Sequence, residues 1–206
     1  MMDAAITPEE AERHKAKMQK RKELMDRRVA ERQSEKGLLM VHTGPGKGKS
    51  TAALGLMMRA AGHGFRVGFI QFIKGTWATG EQVALERFDD LIDHHVMGEG
   101  FTWETQDKER DIQAAGRAWD QARAMMQDQR YRLIVLDEMN IALRYGYLNV
   151  EEVVATLVSR RPDLHVLVTG RNASPLLVDA ADLVTEFQQV KHPFNAGIKA
   201  QAGIEF

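Results

Sequence analysis

Thr43-Gly44-Pro45-Gly46-Lys47-Gly48-Lys49-Ser50-Thr51 follows an apolar run, Leu38-Leu39-Met40-Val41-His42. It precedes a small-residue stretch, Ala52 to Ala61, that reads as a helix ending at Gly62-His63-Gly64. Strand, glycine-rich loop and helix form the context in which a loop binds phosphate. Glycines let the backbone curl so that its N–H groups face an anion, and the following helix adds the positive end of its dipole. Lys49 supplies a mobile charge for phosphate oxygens, and Ser50 a hydroxyl for a magnesium ion. The match to the usual pattern, Gly, four residues, Gly-Lys-Ser/Thr, has one defect. Thr43 holds the first glycine position, and Gly44 comes one residue late. A turn with an incidental lysine would need the glycines, Lys49, Ser50 and both flanking elements to coincide by accident.

Leu133-Ile134-Val135-Leu136-Asp137-Glu138 is the second signal, about 90 residues downstream. Four apolar residues ending in an acidic pair fit the strand that carries the magnesium-organising carboxylate beside a phosphate loop. Asp137, Glu138 and Ser50 are thus the candidate metal ligands, and Mg²⁺ with a nucleoside triphosphate is the ligand that the spacing predicts.

Outward from these two stretches, apolar runs alternate with helical ones. Val67 to Ile73, His94 to Met97, His165 to Thr169 and Leu183 to Phe187 read as further strands. Glu81 to Phe88 reads as a short helix. Asp107 to Asp128 reads as a long one, with Ile112, Ala115, Trp119, Ala122 and Met126 on its inner face. Asn149 caps a helix whose buried face is Val150, Val153, Val154 and Leu157, and Pro162 stops it. Ser174-Pro175 starts another short helix. The stretch from Gln188 to Phe206 has little periodicity and no predicted element. Near-continuous apolar strands between helices imply a parallel sheet covered on both faces. The expected fold is α/β, a RecA-like P-loop domain with a mostly parallel sheet of about six strands.

The chain has 206 residues, 28 Lys+Arg against 29 Asp+Glu, and no cysteine. Disulfides, thiolate metal sites and cysteine nucleophiles are excluded, and a reducing cytoplasm is the expected setting. No apolar run approaches the roughly 20 residues that cross a bilayer, and the charged N-terminus does not resemble a secretory signal. The balanced charge gives no general case for a nucleic-acid partner. One segment stands apart. Between Arg13 and Arg32 lie nine Lys/Arg and three Asp/Glu. Residues 1–36 are therefore read as a basic helical segment, either solvated and partly disordered or ordering over an anionic ligand or partner, and 37–206 as the catalytic domain.

A phosphate loop and an acidic strand end serve kinases, motors, switches and transferases alike. A small nucleotide or nucleoside kinase and a nucleic-acid-stimulated ATPase are the competing readings, with Glu138 the candidate for orienting an attacking group. His94 and His95 are adjacent, so on a strand they face opposite ways, one expected buried and one exposed. Phe101 and Trp103 lie two apart in the glycine-opened loop Gly98 to Trp103, either stapling the long helix or contacting a ligand. Arg171 follows the fifth strand as a phosphate ligand or a surface cation.

Taken together, the motifs resemble the P-loop-type corrinoid adenosyltransferases, the ATP:cob(I)alamin family. GPGKGKST resembles that family's own shortened phosphate loop. RAAGHGFRVGFIQFIKG (59–75), GEGFTWETQD (98–107), LIVLDEMNIALRYGYL (133–148), VTGRNASPLLVDAADLVTE (168–186) and VKHPFNAGIKAQAGIEF (190–206) extend the resemblance over nearly the whole chain. The resemblance implies a transferase. Cobalt(I) of a reduced corrinoid attacks C5′ of ATP, and triphosphate leaves whole. It implies ATP contacts from Thr43 to Thr51 and from Arg59 and Arg171, and catalytic roles for Lys49 and Glu138. Phe101 and Trp103 become the aromatic wall on the lower corrinoid face. Removing a lower axial donor there makes Co(II) easier to reduce. Mg²⁺, with Mn²⁺ as an alternative, a flavoprotein reductase and a homodimer are implied in the same way.

Overall fold

The computed structural model describes residues 6–73, 80–97 and 107–205. The chain divides into two units, Met1–Glu35 and Lys36–Phe206. The first holds helix α1, Pro8–Ala30, whose residues are all unburied. Local chemistry starts it. Glu10 N–H donates to the Thr7 hydroxyl at 3.2 Å, and Thr7 N–H donates to the Glu10 carboxylate at 3.0 Å. With Pro8 in the first turn, this is a capping box. Arg27 and Arg28 lie where the negative end of the helix dipole favours them. From Pro8 to Ala30 the basic segment is thus one continuous helix.

The second unit is built on strands β1 (Leu39–Thr43), β2 (Arg66–Gln71), β3 (Ile92–Val96), β4 (Tyr131–Asp137), β5 (His165–Thr169) and β6 (Leu183–Glu186). Their order across the sheet is β3-β2-β4-β5-β1-β6, and every pairing is parallel. Alternate residues of each inner strand feed two separate cores, as a pleat of period two requires. Val41, Ile134, Leu136 and Val168 pack with helices α4 (Lys108–Gln127), α5 (Met139–Arg144), α6 (Val150–Val158) and α7 (Pro175–Ala180). Met40, Val67, Phe69, Val135 and Leu167 pack with α2 (Lys49–Gly62) and α3 (Gly80–Leu85).

Several expectations shift. The helix after the phosphate loop starts at Lys49 rather than Ala52, so the lysine itself lies in its first turn. Ile112 is 39% exposed although Ala115, Trp119, Ala122 and Met126 are buried as predicted. The short helix α5 directly after β4 carries no periodic signal of its own. β6 is apolar yet exposed along its length, because it pairs with β1 alone at the sheet edge. His94 and His95 are both half-buried rather than one in and one out, since β3 is the opposite edge strand.

The ends of the elements follow their capping residues. Asn149 accepts from Glu152 N–H at 2.8 Å at the start of α6. At its far end Arg160 donates to Leu157 O at 2.7 Å, Leu164 O at 2.9 Å and Gly37 O at 2.6 Å. One guanidinium thereby satisfies a helix terminus and the entries to β1 and β5. No helix among the described residues is long and apolar enough to cross a membrane.

Candidate functional site

In an open parallel sheet, ligands collect at the carboxyl ends of the strands. Here those ends present Thr43, Gln71, Asp137 and Thr169. Gln71 and Asp137 line a cleft of about 450 Å³ together with Gly46 to Thr51, Glu138 and Arg171.

The loop between β1 and α2 is shaped by a backbone that crosses it. Phe187 N–H donates to Thr43 O at 2.8 Å, and Gly46 N–H donates to Phe187 O at 2.7 Å. A Cβ on Gly44 would lie 2.5 Å from Phe187 O, and one on Gly46 would lie 2.8 Å from Gln188 C. Gly44 also sits at φ +93°, which L side chains rarely adopt. Two glycines of the loop are therefore required by chain crossing as well as by anion approach. Thr43 contributes through its hydroxyl, which accepts from Ala173 N–H at 3.0 Å and fastens the loop to the turn after β5.

Lys49 is 6% exposed. Its ammonium donates to Gly44 O at 2.9 Å and Gly46 O at 2.6 Å. Burial pulls its pKa below the ordinary lysine value, and the Glu138 carboxylate opposes that shift. Ser50 Oγ donates to Asp137 Oδ1 at 2.9 Å, and Thr169 Oγ1 donates to the same oxygen at 2.7 Å. Gln71 Nε2 donates to Asp137 Oδ2 at 3.3 Å, and its Oε1 lies 2.9 Å from His94 Nε2. Asp137 is thus held on both oxygens.

Glu138 is the strained member. It lies at φ +58°, in the left-handed region. Its N–H donates to Thr169 Oγ1 at 3.0 Å, and among the described residues its buried Oε2 has no hydrogen-bond partner. Burial, then the neighbouring Asp137, push its carboxyl up to about 7, against the pull of Lys49 and Arg171. Gly170 makes room for it, since a Cβ there would lie 2.9 Å from Asn140 Cβ and 3.2 Å from Glu138 Oε2. A buried carboxylate oxygen without a donor, beside a hydroxyl and a second carboxylate, fits a hard divalent cation.

The fold thus brings together Lys47, Lys49, Ser50, Asp137, Glu138 and Arg171. Arg171 is exposed but lines the cleft. Pro45 is exposed and does not line the cleft. Arg59 is exposed near the end of α2, about 15 Å along the helix axis from Lys49, and does not line the cleft. Phe101 and Trp103 lie outside the described residues. Gln71, His94, Thr169, His192, Ile204 and Glu205 also surround the cleft or its carboxylates and were not singled out as site residues by the motifs. Gln71 is the one polar residue inside the apolar run Val67 to Ile73, but only the structure puts it at the strand's carboxyl end.

Residues 35–206 match the protein family described as ATP:corrinoid adenosyltransferase BtuR/CobO/CobP. Residues 1–29 match one described as cob(I)alamin adenosyltransferase N terminal. A corrinoid adenosyltransferase of Pseudomonas aeruginosa is 50% identical over 97% of this chain and 98% of its own. The corrinoid adenosyltransferase CobA of Salmonella typhimurium is 45% identical over 95% of this chain and 98% of its own. Among solved structures, the flagellar accessory protein FlaH of Methanocaldococcus jannaschii aligns with a TM-score of 0.47 and 10% identity, over 73% of this chain and 70% of that one.

Proposed function

The chain belongs to the ATP:corrinoid adenosyltransferase family, and from that premise we propose that it transfers the 5′-deoxyadenosyl group of ATP to Co(I) of a reduced corrinoid and releases triphosphate. The observation that carries this reading at the site is the Ser50 hydroxyl on Asp137, next to the buried Glu138, at the mouth of a shortened phosphate loop. Cobalt(I) is a strong nucleophile, so the attack needs no general base. The demand falls on the leaving group, where charge grows on the phosphate oxygen released from C5′. Loop N–H groups, the start of α2 and the Lys49 ammonium are the fixed positive groups that face it. Ser50, Asp137 and Glu138 would hold Mg²⁺, or Mn²⁺ in its place, which supplies Lewis-acid neutralisation of phosphate oxygens. Lys47 and Arg171 add charge at the rim.

Phe101 and Trp103 form the corrinoid wall in this proposal, and residues 1–36 order over the corrinoid. A flavoprotein supplies the electron that yields Co(I). A cytoplasmic homodimer is the working assembly. In support of the dimer, edge strand β6 leaves Leu183 46% and Val184 39% exposed, an unpaired apolar edge of the kind association covers. The kinase reading is disfavoured by family membership. Incubation with MgATP and chemically reduced corrinoid tests the assignment. Adenosylated corrinoid and whole triphosphate should appear in equal amounts, and ADP in their place would refute it.

A further inference from the structure

The proposed chemistry gives Lys47 a place at the rim of the cleft but leaves its carboxylate partner without a task. The Lys47 ammonium, in the phosphate loop, is paired with the Glu205 carboxylate. Lys47 keeps 48% of its side-chain exposure, and Glu205 only 16%. Glu205 is delivered by the segment after β6, which is fastened to the loop backbone at Phe187. A local turn presents it, with Ile204 and Glu205 N–H groups both directed at Gln201 O, at 3.2 and 2.8 Å. Ile204 and Glu205 then line the cleft beside Gly46 and Gly48.

The two loop lysines are thus satisfied differently. Lys49 donates to neutral carbonyls of its own loop. Lys47 is held by the Glu205 carboxylate, which lines the same cleft as the phosphate loop. The charged groups facing this volume are Lys47, Lys49 and Arg171 on one side and Glu81, Asp137, Glu138 and Glu205 on the other. Displacement at C5′ creates a release problem. The triphosphate product keeps every phosphate contact that bound ATP and gains charge on the freed oxygen. A loop that holds the substrate by its phosphates holds this product at least as well, unless something competes.

We propose that Glu205 is that competitor: a positioning residue whose carboxylate exchanges with phosphate for the Lys47 ammonium, holding down triphosphate affinity so that product leaves. This rests on the adenosyltransferase reading for triphosphate as the product; the exchange at Lys47 itself needs only a polyphosphate at the loop.

Calorimetric titration with magnesium triphosphate tests it on the full chain. Glu205→Gln should bind triphosphate about three- to fivefold tighter than wild type at low salt, the upper range of a partly exposed ion pair. In a Lys47→Ala background the same substitution should change affinity less than about twofold, since the pair is then already broken. Under turnover, Glu205→Gln should show stronger product inhibition by triphosphate. Unchanged or weaker binding by Glu205→Gln overturns the proposal. Equal tightening in the Lys47→Ala background also overturns it, because the effect is then only the loss of a nearby negative charge. Product analysis of the wild type runs alongside. ADP there would sink the adenosyltransferase reading while leaving the binding comparison interpretable.

Discussion

The Ser50 hydroxyl donates to the Asp137 carboxylate at 2.9 Å, although 87 positions separate the two residues in sequence. That bond joins the first turn of α2 to the end of β4, so a serine of the phosphate loop and the acidic strand end form one unit before any ligand arrives. The bond also orients Asp137, which accepts from Thr169 on the same oxygen and from Gln71 on Oδ2, leaving one Oδ2 lone pair open. A cation between Ser50 and Asp137 must replace this bond, so the hydroxyl is already within a short rotation of a metal ligand position.

Lys49→Ala is expected to lower turnover by about 10²–10³ at saturating MgATP, the loss typical of one oriented charge at a reacting centre. The side chain is buried on loop carbonyls, so circular dichroism should show an intact fold. Near-normal turnover would remove the phosphate-loop assignment.

Two glycine substitutions should move stability in opposite directions. Gly44→Ala forces a Cβ to 2.5 Å from Phe187 O at φ +93°, which should cost at least about 2 kcal/mol and impair nucleotide binding. Gly55 lies inside α2 with open space around its Cβ position, and Gly55→Ala should stabilise by about 0.5–1 kcal/mol. Urea denaturation measures both. A neutral Gly44→Ala would mean that the crossing at Phe187 does not constrain the loop.

Removing the basic helix should spare MgATP affinity and raise the corrinoid KM. The truncation must begin at Lys36, because its ammonium pairs with Asp182 and Gly37 N–H donates to Pro162 O. Equal corrinoid kinetics in the truncated and full-length proteins would assign the helix some other task.

Legibility in the sequence tracks how local the cause is. The phosphate loop is written in contiguous residues, and so are the caps Asn149 and Ser174-Pro175. Leu133 to Asp137 is apolar enough to announce a central strand. The role of Gly44 is another matter, since half of its constraint comes from Phe187, which reaches the loop only because β6 pairs with β1. Gln71 and Thr169 are ordinary strand-end residues until β4 is seated between β2 and β5, which places both against Asp137. Glu205 lies in a stretch that carries a family resemblance but no local signal, and nothing in the periodicity of residues 188–206 places it at the cleft. The exposed β6 shows the opposite failure, where a correct strand assignment cannot reveal that the strand lies at an edge.

Glu138 should make the ligand-free protein less stable as pH rises. Its carboxyl is pushed from 4.5 up to about 7 in the folded state, chiefly by burial. Below about pH 4.5 both folded and unfolded chains hold the proton, so the residue costs nothing. Between about 4.5 and 7 the unfolded chain releases a proton that the folded chain keeps, and unfolding becomes easier with rising pH. Above about 7 the full penalty remains, on the order of 3 kcal/mol. Other groups titrate over this range, so the comparison is with Glu138→Gln, which keeps the shape and removes the charge. Without nucleotide, the stability of wild type minus that of Glu138→Gln should fall by about 2–3 kcal/mol from pH 5 to pH 8. MgATP should shrink that fall, because a cation beside the carboxylate offsets the burial of its charge. A difference that stays flat with pH would show that Glu138 is solvated in the ligand-free protein, and its unpaired Oε2 would then carry no argument for a metal.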